Sequence, residues 1–163
     1  MIRIVALLLA TCAWGADPTT ILLVRHAEKS AGEGDVTITE LGTRRAEALA
    51  RMLQDAGVKA IYTSHFKRTQ QTARPLATAL HLEPSVLDDA AAIAADIRIH
   101  HAGQTVLVVH HANTVPQIAA AFGVQGSEPF RDMTYDRLFI VITQADGTTK
   151  LIALHYGPQP GDR

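Results

Sequence analysis

Residues 21–29 read Ile-Leu-Leu-Val-Arg-His-Ala-Glu-Lys, and the break inside that stretch decides how the chain folds. Four consecutive apolar residues, Ile21 to Val24, stop abruptly at Arg25-His26. Successive side chains of a strand point to opposite faces, so a continuous apolar run of this length suits a strand covered on both sides. Two further runs repeat the pattern: Ala60 to Tyr62 is followed by Thr63-Ser64, and Val106 to Val109 by His110-His111. Later in the chain, Leu138 to Ile142 and Leu151 to Leu154 flank Asp146-Gly147, a hairpin turn signal. Helical periodicity fills the intervals. Thr39 is an N-cap for a helix with a stripe of Leu49, Met52, Leu53 and Ala56, and Gly57 stops it. Ala73, Leu76, Ala77 and Leu80 mark a second helix, which Pro75 should bend. Asp88 or Asp89 caps a third helix running to about His100. Asn113 caps a fourth, with Val115, Ile118, Ala119 and Phe122 on one face and Gly123 at its end. The alternation predicts an α/β domain, a three-layer α/β/α sandwich with a mostly parallel central sheet.

Ligand sites in such sheets lie beyond the carboxyl ends of the strands. Here those ends carry Arg25-His26, Thr63-Ser64 with Arg68 one turn on, and His110-His111. Guanidinium groups offer fork-shaped donors to phosphate oxygens. Helices starting after Ser64 and Asn113 would add free N–H groups and a positive dipole end. A neutral imidazole attacks phosphorus, and guanidinium charge nearby disfavours its protonation. Covalent transfer through His26 would divide one hydrolysis into two easier steps. A second histidine can donate to the equatorial oxygens.

The motifs around these residues resemble those of the histidine phosphatase (phosphoglycerate mutase-like) superfamily. Val24-Arg25-His26-Ala27-Glu28-Lys29 looks like the Arg-His motif that opens its domains, and Ile38-Thr39-Glu40-Leu41-Gly42 is similar to its following Leu-Thr-x-x-Gly segment. Ser64 through Arg68-Thr69-Gln70-Gln71-Thr72-Ala73 resembles its Ser-x-x-x-Arg-Thr-x-x-Thr-Ala stretch. Val108 to Pro116 looks like its Val-Val-Gly-His-Ser-Asn-Thr segment. The resemblance implies that His26 is the nucleophile, with Arg25, Arg68 and His111 forming the phosphate pocket. It aligns His111, not His110, with the family's second histidine, because Asn113-Thr114 follows at the family's offset. Asn113 and Glu28 are accordingly expected at the substrate, and no metal or other cofactor is expected.

Two features depart from the family pattern. His110 stands where the family has a glycine. Many members also carry a glutamate about twenty residues after the second arginine, which protonates the leaving oxygen; here the segment reads Leu87-Asp88-Asp89-Ala90. Asp88 or Asp89 is the expected acid, and a helix-capping role would account for either equally well. Little length is left for the insertions that build a mutase's lid, which favours phosphatase over mutase. The alternative from another class is a non-catalytic phospho-ligand-binding protein that keeps the pocket without turnover.

The remaining sequence is less informative. Lys29 needs no ligand as a surface charge, and Gly32-Glu33-Gly34 lacks the rest of a nucleotide-binding glycine motif. His100-His101 with Asp96 has neither His-Glu-x-x-His spacing nor a thiolate set, so it is read as helix surface rather than a metal site. The formal charge of −1 over 163 residues gives no general attraction to nucleic acid or anionic membranes. The expected partner is a small-molecule or protein-borne phosphate substrate. Residues 1–15 look like a signal peptide, with Arg3, the apolar run Ile4 to Ala10, and Ala13-Trp14-Gly15 before Ala16. The run is too short for a stable membrane span. A periplasmic domain over residues 16–163 is the expectation, and cleavage there removes the sole cysteine, Cys12. A lipoprotein modified at Cys12 is the minority reading.

Overall fold

The computed structural model describes residues 17–126, 128–131 and 133–158. The expected leader and Cys12 lie outside the described residues. Four strands come first, β1 (Thr19–Arg25), β2 (Val58–Thr63), β3 (Ser85–Val86) and β4 (Thr105–His110), of which β1, β2 and β4 follow the apolar logic of the sequence. A hairpin of β5 (Arg137–Thr143) and β6 (Thr149–His155) completes one sheet in the order β3-β2-β4-β1-β5-β6. The β1–β4, β2–β4 and β2–β3 pairings are parallel, while β1–β5 and β5–β6 are antiparallel. Helices α1 (Glu40–Leu53), α2 (Lys67–Leu80), α3 (Ala90–His100) and α4 (Thr114–Ala121) connect the parallel strands and enter the hairpin segment. The three-layer α/β expectation holds.

Strand alternation sorts the core into two layers. Ile21, Leu23, Val106 and Val108 pack with Ile93, Ile97, Val115 and Ile118 of α3 and α4. Leu22, Val24, Leu107 and Val109 pack with Leu49, Leu53, Ala73 and Leu76 of α1 and α2. Because both faces are dry, the central strands need no polar residues until they end. The chain runs outward from β1 to β3 and returns to insert β4 between β1 and β2, so the order reverses beside β1 and β4. The carboxyl ends there form the crevice in which ligands of such sheets bind.

Local details refine the expected elements. Thr39 caps α1, its Oγ1 accepting from the Gly42 N–H at 3.1 Å. The apolar stripe of that helix is corrected: Met52 is exposed and Ala56 lies past the helix end, whereas Ala46 and Ala50 are buried beside Leu49 and Leu53. A Cβ at Gly42 would stand 2.5 Å from the Glu28 carbonyl oxygen, so only glycine lets α1 approach the segment after the nucleophile this closely. Helix α2 runs through Pro75 without a break.

Candidate active site

Arg25, the last residue of β1, lies level with His110, the last residue of β4. The next step of the chain is locked by the His26 N–H donating to the His110 carbonyl at 2.8 Å. His26 is 4% exposed, at the floor of the strand-end crevice. Its Nδ1 donates to the carbonyl of Ala27 at 2.8 Å, since that oxygen can only accept. The neutral ring therefore keeps its lone pair on Nε2. The Ala27 N–H donates to Thr72 Oγ1 at 2.9 Å, which ties the turn after the nucleophile to α2. Burial, and then the charges of Arg25, Arg68 and Lys29, hold the His26 pKa down at about 4, against an opposing pull from the Ala27 carbonyl. His26 is thus an unprotonated imidazole at neutral pH.

His111 follows the end of β4, and its ring centroid lies 5.5 Å from that of His26. Its Nε2 is 3.0 Å from Ser64 Oγ, itself 2.9 Å from Thr69 Oγ1, so the strand end of β2 orients this second histidine. Desolvation first, then the proximity of His110 and the charge of Arg68, push the His111 pKa down to about 3. Arg25 donates from Nη1 to the Met133 carbonyl at 2.9 Å and from Nη2 to the Tyr135 hydroxyl at 3.2 Å. Arg68 donates to the Gly34 carbonyl at 3.1 Å and lies over the Phe66 ring. The Nε–H groups of both arginines are buried without a protein acceptor. Buried donors are normally paired, so an anion between these guanidinium groups would complete their bonding.

The structure therefore brings together Arg25, His26, Arg68 and His111. His110 turns instead into the core, 1% exposed, with Nε2 donating to the Leu87 carbonyl at 3.1 Å. The other candidates engage partners of their own. Glu28 accepts three bonds from Arg45 at 2.7–3.0 Å, which engage its carboxylate with α1. Lys29 donates to the Gly32 carbonyl, and Asn113 is exposed at the start of α4 without a side-chain cap. Asp89 is the N-cap of α3, accepting from the Ala92 N–H at 2.8 Å. Asp88 binds His65, accepting from its backbone N–H at 3.0 Å and from Nδ1 at 2.8 Å.

Sequence reasoning missed several members of the site. Met133 and Tyr135 reach Arg25 from a segment more than a hundred residues away, and nothing in their local pattern marks them. Ser64 is legible as a strand end and part of a motif, but its bond to His111 is not. Asp35 accepts from the Lys67 N–H at 2.7 Å and so caps α2 from a distant loop, because Phe66 at the cap position has no suitable side chain. A groove of about 610 Å³ lies along α2 beside Lys67, Arg74 and His81 and includes neither histidine of the crevice. Asp96 accepts from the Tyr62 hydroxyl and faces His100, and no three potential metal-ligating side chains cluster among the described residues. No described helix is long and apolar enough to cross a membrane.

Comparison with known proteins adds to this picture. Residues 21–91 match the histidine phosphatase superfamily (branch 1). A Yersinia pestis (strain Pestoides F) protein named "Probable phosphoglycerate mutase GpmB" is 36% identical over 69 residues, 38% of this chain and 32% of that one. The chain thus spans about a third of the length of the curated relatives it matches. Among solved structures, the "Putative Phosphohistidine Phosphatase SixA" of Nakamurella multipartitia superposes with a TM-score of 0.66 at 22% identity, over 86% of this chain and 98% of that chain. The protein histidine phosphatase SixA complexed with tungstate gives 0.68 at 19% identity, over 83% and 96%. At these identities the likeness is one of fold.

Proposed function

We propose that the chain, whose residues 21–91 match the histidine phosphatase superfamily, is a phosphatase acting through a phosphohistidine on His26. The observation that carries the reading is the His26 tautomer. With Nδ1 donating to the Ala27 carbonyl, Nε2 is the free nucleophilic nitrogen, and it sits in a crevice whose other charged groups are cationic. Arg25 and Arg68 hold the equatorial oxygens, and their unpaired Nε–H donors are the groups an anion would satisfy. His111, held through Ser64, donates to an oxygen on which charge grows in the transition state. The Nε2 of His26 bonds to phosphorus as the ester oxygen leaves. Water then displaces the imidazole and releases inorganic phosphate.

The substrate is a phosphomonoester or related phosphoryl compound, carried by a small molecule or by a protein. Only three residues separate β3 from α3, and no inserted helices roof the crevice among the described residues. An open mouth of this kind admits a phosphate presented by a protein surface. One solved neighbour is a protein histidine phosphatase, so protein-borne phosphohistidine is the first physiological substrate to try. The leader-like sequence of residues 1–15 supports a site of action outside the cytoplasm. Mass spectrometry of the mature protein should then find its N-terminus near Ala16, and an intact Met1 on the cytoplasmic protein would overturn that placement.

The test of the activity is turnover of 4-nitrophenyl phosphate by wild type and by His26→Ala. The variant should be inactive, and an acid quench of the wild type during turnover should be avoided in favour of an alkaline one, because phosphohistidine is acid-labile. Peptide mass spectrometry should then find phosphate on His26. Turnover that survives His26→Ala overturns the mechanism, and tight phosphate binding without any turnover makes the protein a binding module.

A further inference from the structure

The crevice has a nucleophile and oxyanion donors, and among the described residues no carboxylate is hydrogen-bonded to Arg25, His26, Arg68 or His111. In-line displacement puts the departing oxygen opposite the attacking nitrogen. His26 is on the buried floor, so the leaving group departs at the solvent rim. Immediately after Ser64, which holds His111, stands His65, exposed to solvent and paired with Asp88 through two hydrogen bonds. The backbone bond fixes where Asp88 sits, and the side-chain bond fixes the tautomer: Nδ1 carries a proton, leaving Nε2 free to carry or release the second. The ring stacks on Phe66 with centroids 4.0 Å apart, and Phe66 in turn meets His111 edge-on at 5.3 Å and carries Arg68 4.1 Å from its centre. The charge of Asp88 also reaches His111, opposing the groups that lower its pKa.

We infer that His65, oriented by Asp88, is the proton donor to the leaving group. Resting on the proposed phosphatase activity, this assigns the proton to a residue that no family motif marks. Imidazole gives and takes protons near neutral pH. Asp88 is unsuited to carry the proton itself, because the backbone and ring N–H groups of His65 hold its carboxyl below the usual range and so ionised. It serves as the positioning residue. As the His26 Nε2–P bond forms and the P–O bond breaks, the proton on His65 Nε2 passes to the ester oxygen and the alcohol leaves. Neutral His65 then takes a proton from the water that attacks the phosphohistidine, which restores the imidazolium and yields phosphate.

The test compares kcat/KM for an alkyl phosphate and for 4-nitrophenyl phosphate in wild type, His65→Ala and Asp88→Asn. That ratio reports only the steps up to leaving-group release, and a nitrophenolate needs far less protonation than an alkoxide. His65→Ala should lose about a hundredfold or more on the alkyl phosphate, the lower end of what a positioned acid contributes. Its loss on the aryl phosphate should be much smaller. In Asp88→Asn the amide oxygen still accepts from Nδ1, so geometry persists while the negative charge is gone. The charged and titratable groups that remain beside His65 are then Lys67, paired with Asp35 at 3.6 Å, Arg68 across Phe66, and His111 at that ring's edge. With only these left, the alkaline limb of the alkyl-phosphate profile should move to lower pH. An alkyl-to-aryl ratio unchanged in His65→Ala overturns the inference, as does a wild type that cleaves aryl but no alkyl phosphates. A wild type that transfers no phosphoryl group at all, or an active His26→Ala, overturns the phosphatase reading instead.

Discussion

Because His110 is still within β4, its side chain obeys the strand's alternation and falls on the same face as Val106 and Val108, toward α3 and α4. His111 is one step past the strand and is free to turn over the crevice, where Ser64 fixes it. Adjacent residues of the same type thus meet different environments through a single register. Burial lowers the pKa of His110, and its ring Nδ1 has no partner, so its contribution is to packing and to the Leu87 contact. His111→Ala should cut kcat on an aryl phosphate by about a hundredfold to a thousandfold, the typical worth of one oxyanion donor. His110→Ala should chiefly lower stability and retain most of that kcat at temperatures where it remains folded. Steady-state rates for both variants, beside urea unfolding curves, check this. Equal losses of kcat, or a greater loss in His110→Ala, would show that the strand register had been assigned to the wrong histidine.

The elements that sequence shows well are those whose pattern comes from burial. β1, β2 and β4 announce themselves as apolar runs because both faces of each are covered, and their ends announce the site because polarity returns there. β3 has no such pattern: Ser85 and Val86 are both exposed, and the strand exists through its pairing of Ser85 with Tyr62 and the Leu87 N–H donating to the Thr63 carbonyl. No local signal encodes that kind of edge strand. The Glu28–Arg45 pair was also unread, although a signal existed. Arg45 is four residues before Leu49 and therefore on the buried stripe of α1, where a guanidinium needs partners. It finds them in Glu28 and in the carbonyls of Tyr156 and Pro158, which ties the segment after the nucleophile to the end of the hairpin. Removing one partner of a buried ion pair typically costs about 3–5 kcal/mol, because the other charge is left uncompensated. Glu28→Ala should lose stability on that scale in urea unfolding, with KM little changed for the folded fraction. A raised KM at unchanged stability would instead return Glu28 to the substrate.

Across the whole molecule, the histidines that build the site set how stability responds to acid. His26 and His111 are held at about 4 and about 3, and His110 is also lowered, each chiefly by desolvation. In the unfolded chain these rings return to ordinary histidine behaviour near pH 6.5. The unfolded state therefore binds more protons than the folded state between those values, and stability falls as pH falls through that window. Asp88 and Asp136 are lowered as well, so they act in the same direction, but only once the solution is acid enough to protonate unfolded carboxylates. The histidine effect should appear first. Each of the three contributes at most about 1.4 kcal/mol per pH unit, which makes a loss of a few kcal/mol between pH 7 and pH 5 the expected outcome. Urea unfolding at intervals across that range measures it, and His26→Asn should flatten the dependence by about one proton's worth, because the amide cannot titrate. The same burial that keeps His26 unprotonated for attack is what makes the fold acid-sensitive. Stability that stays level from pH 7 to pH 5 would mean that these rings titrate alike in both states, and the argument for a neutral nucleophile by desolvation would fall with it.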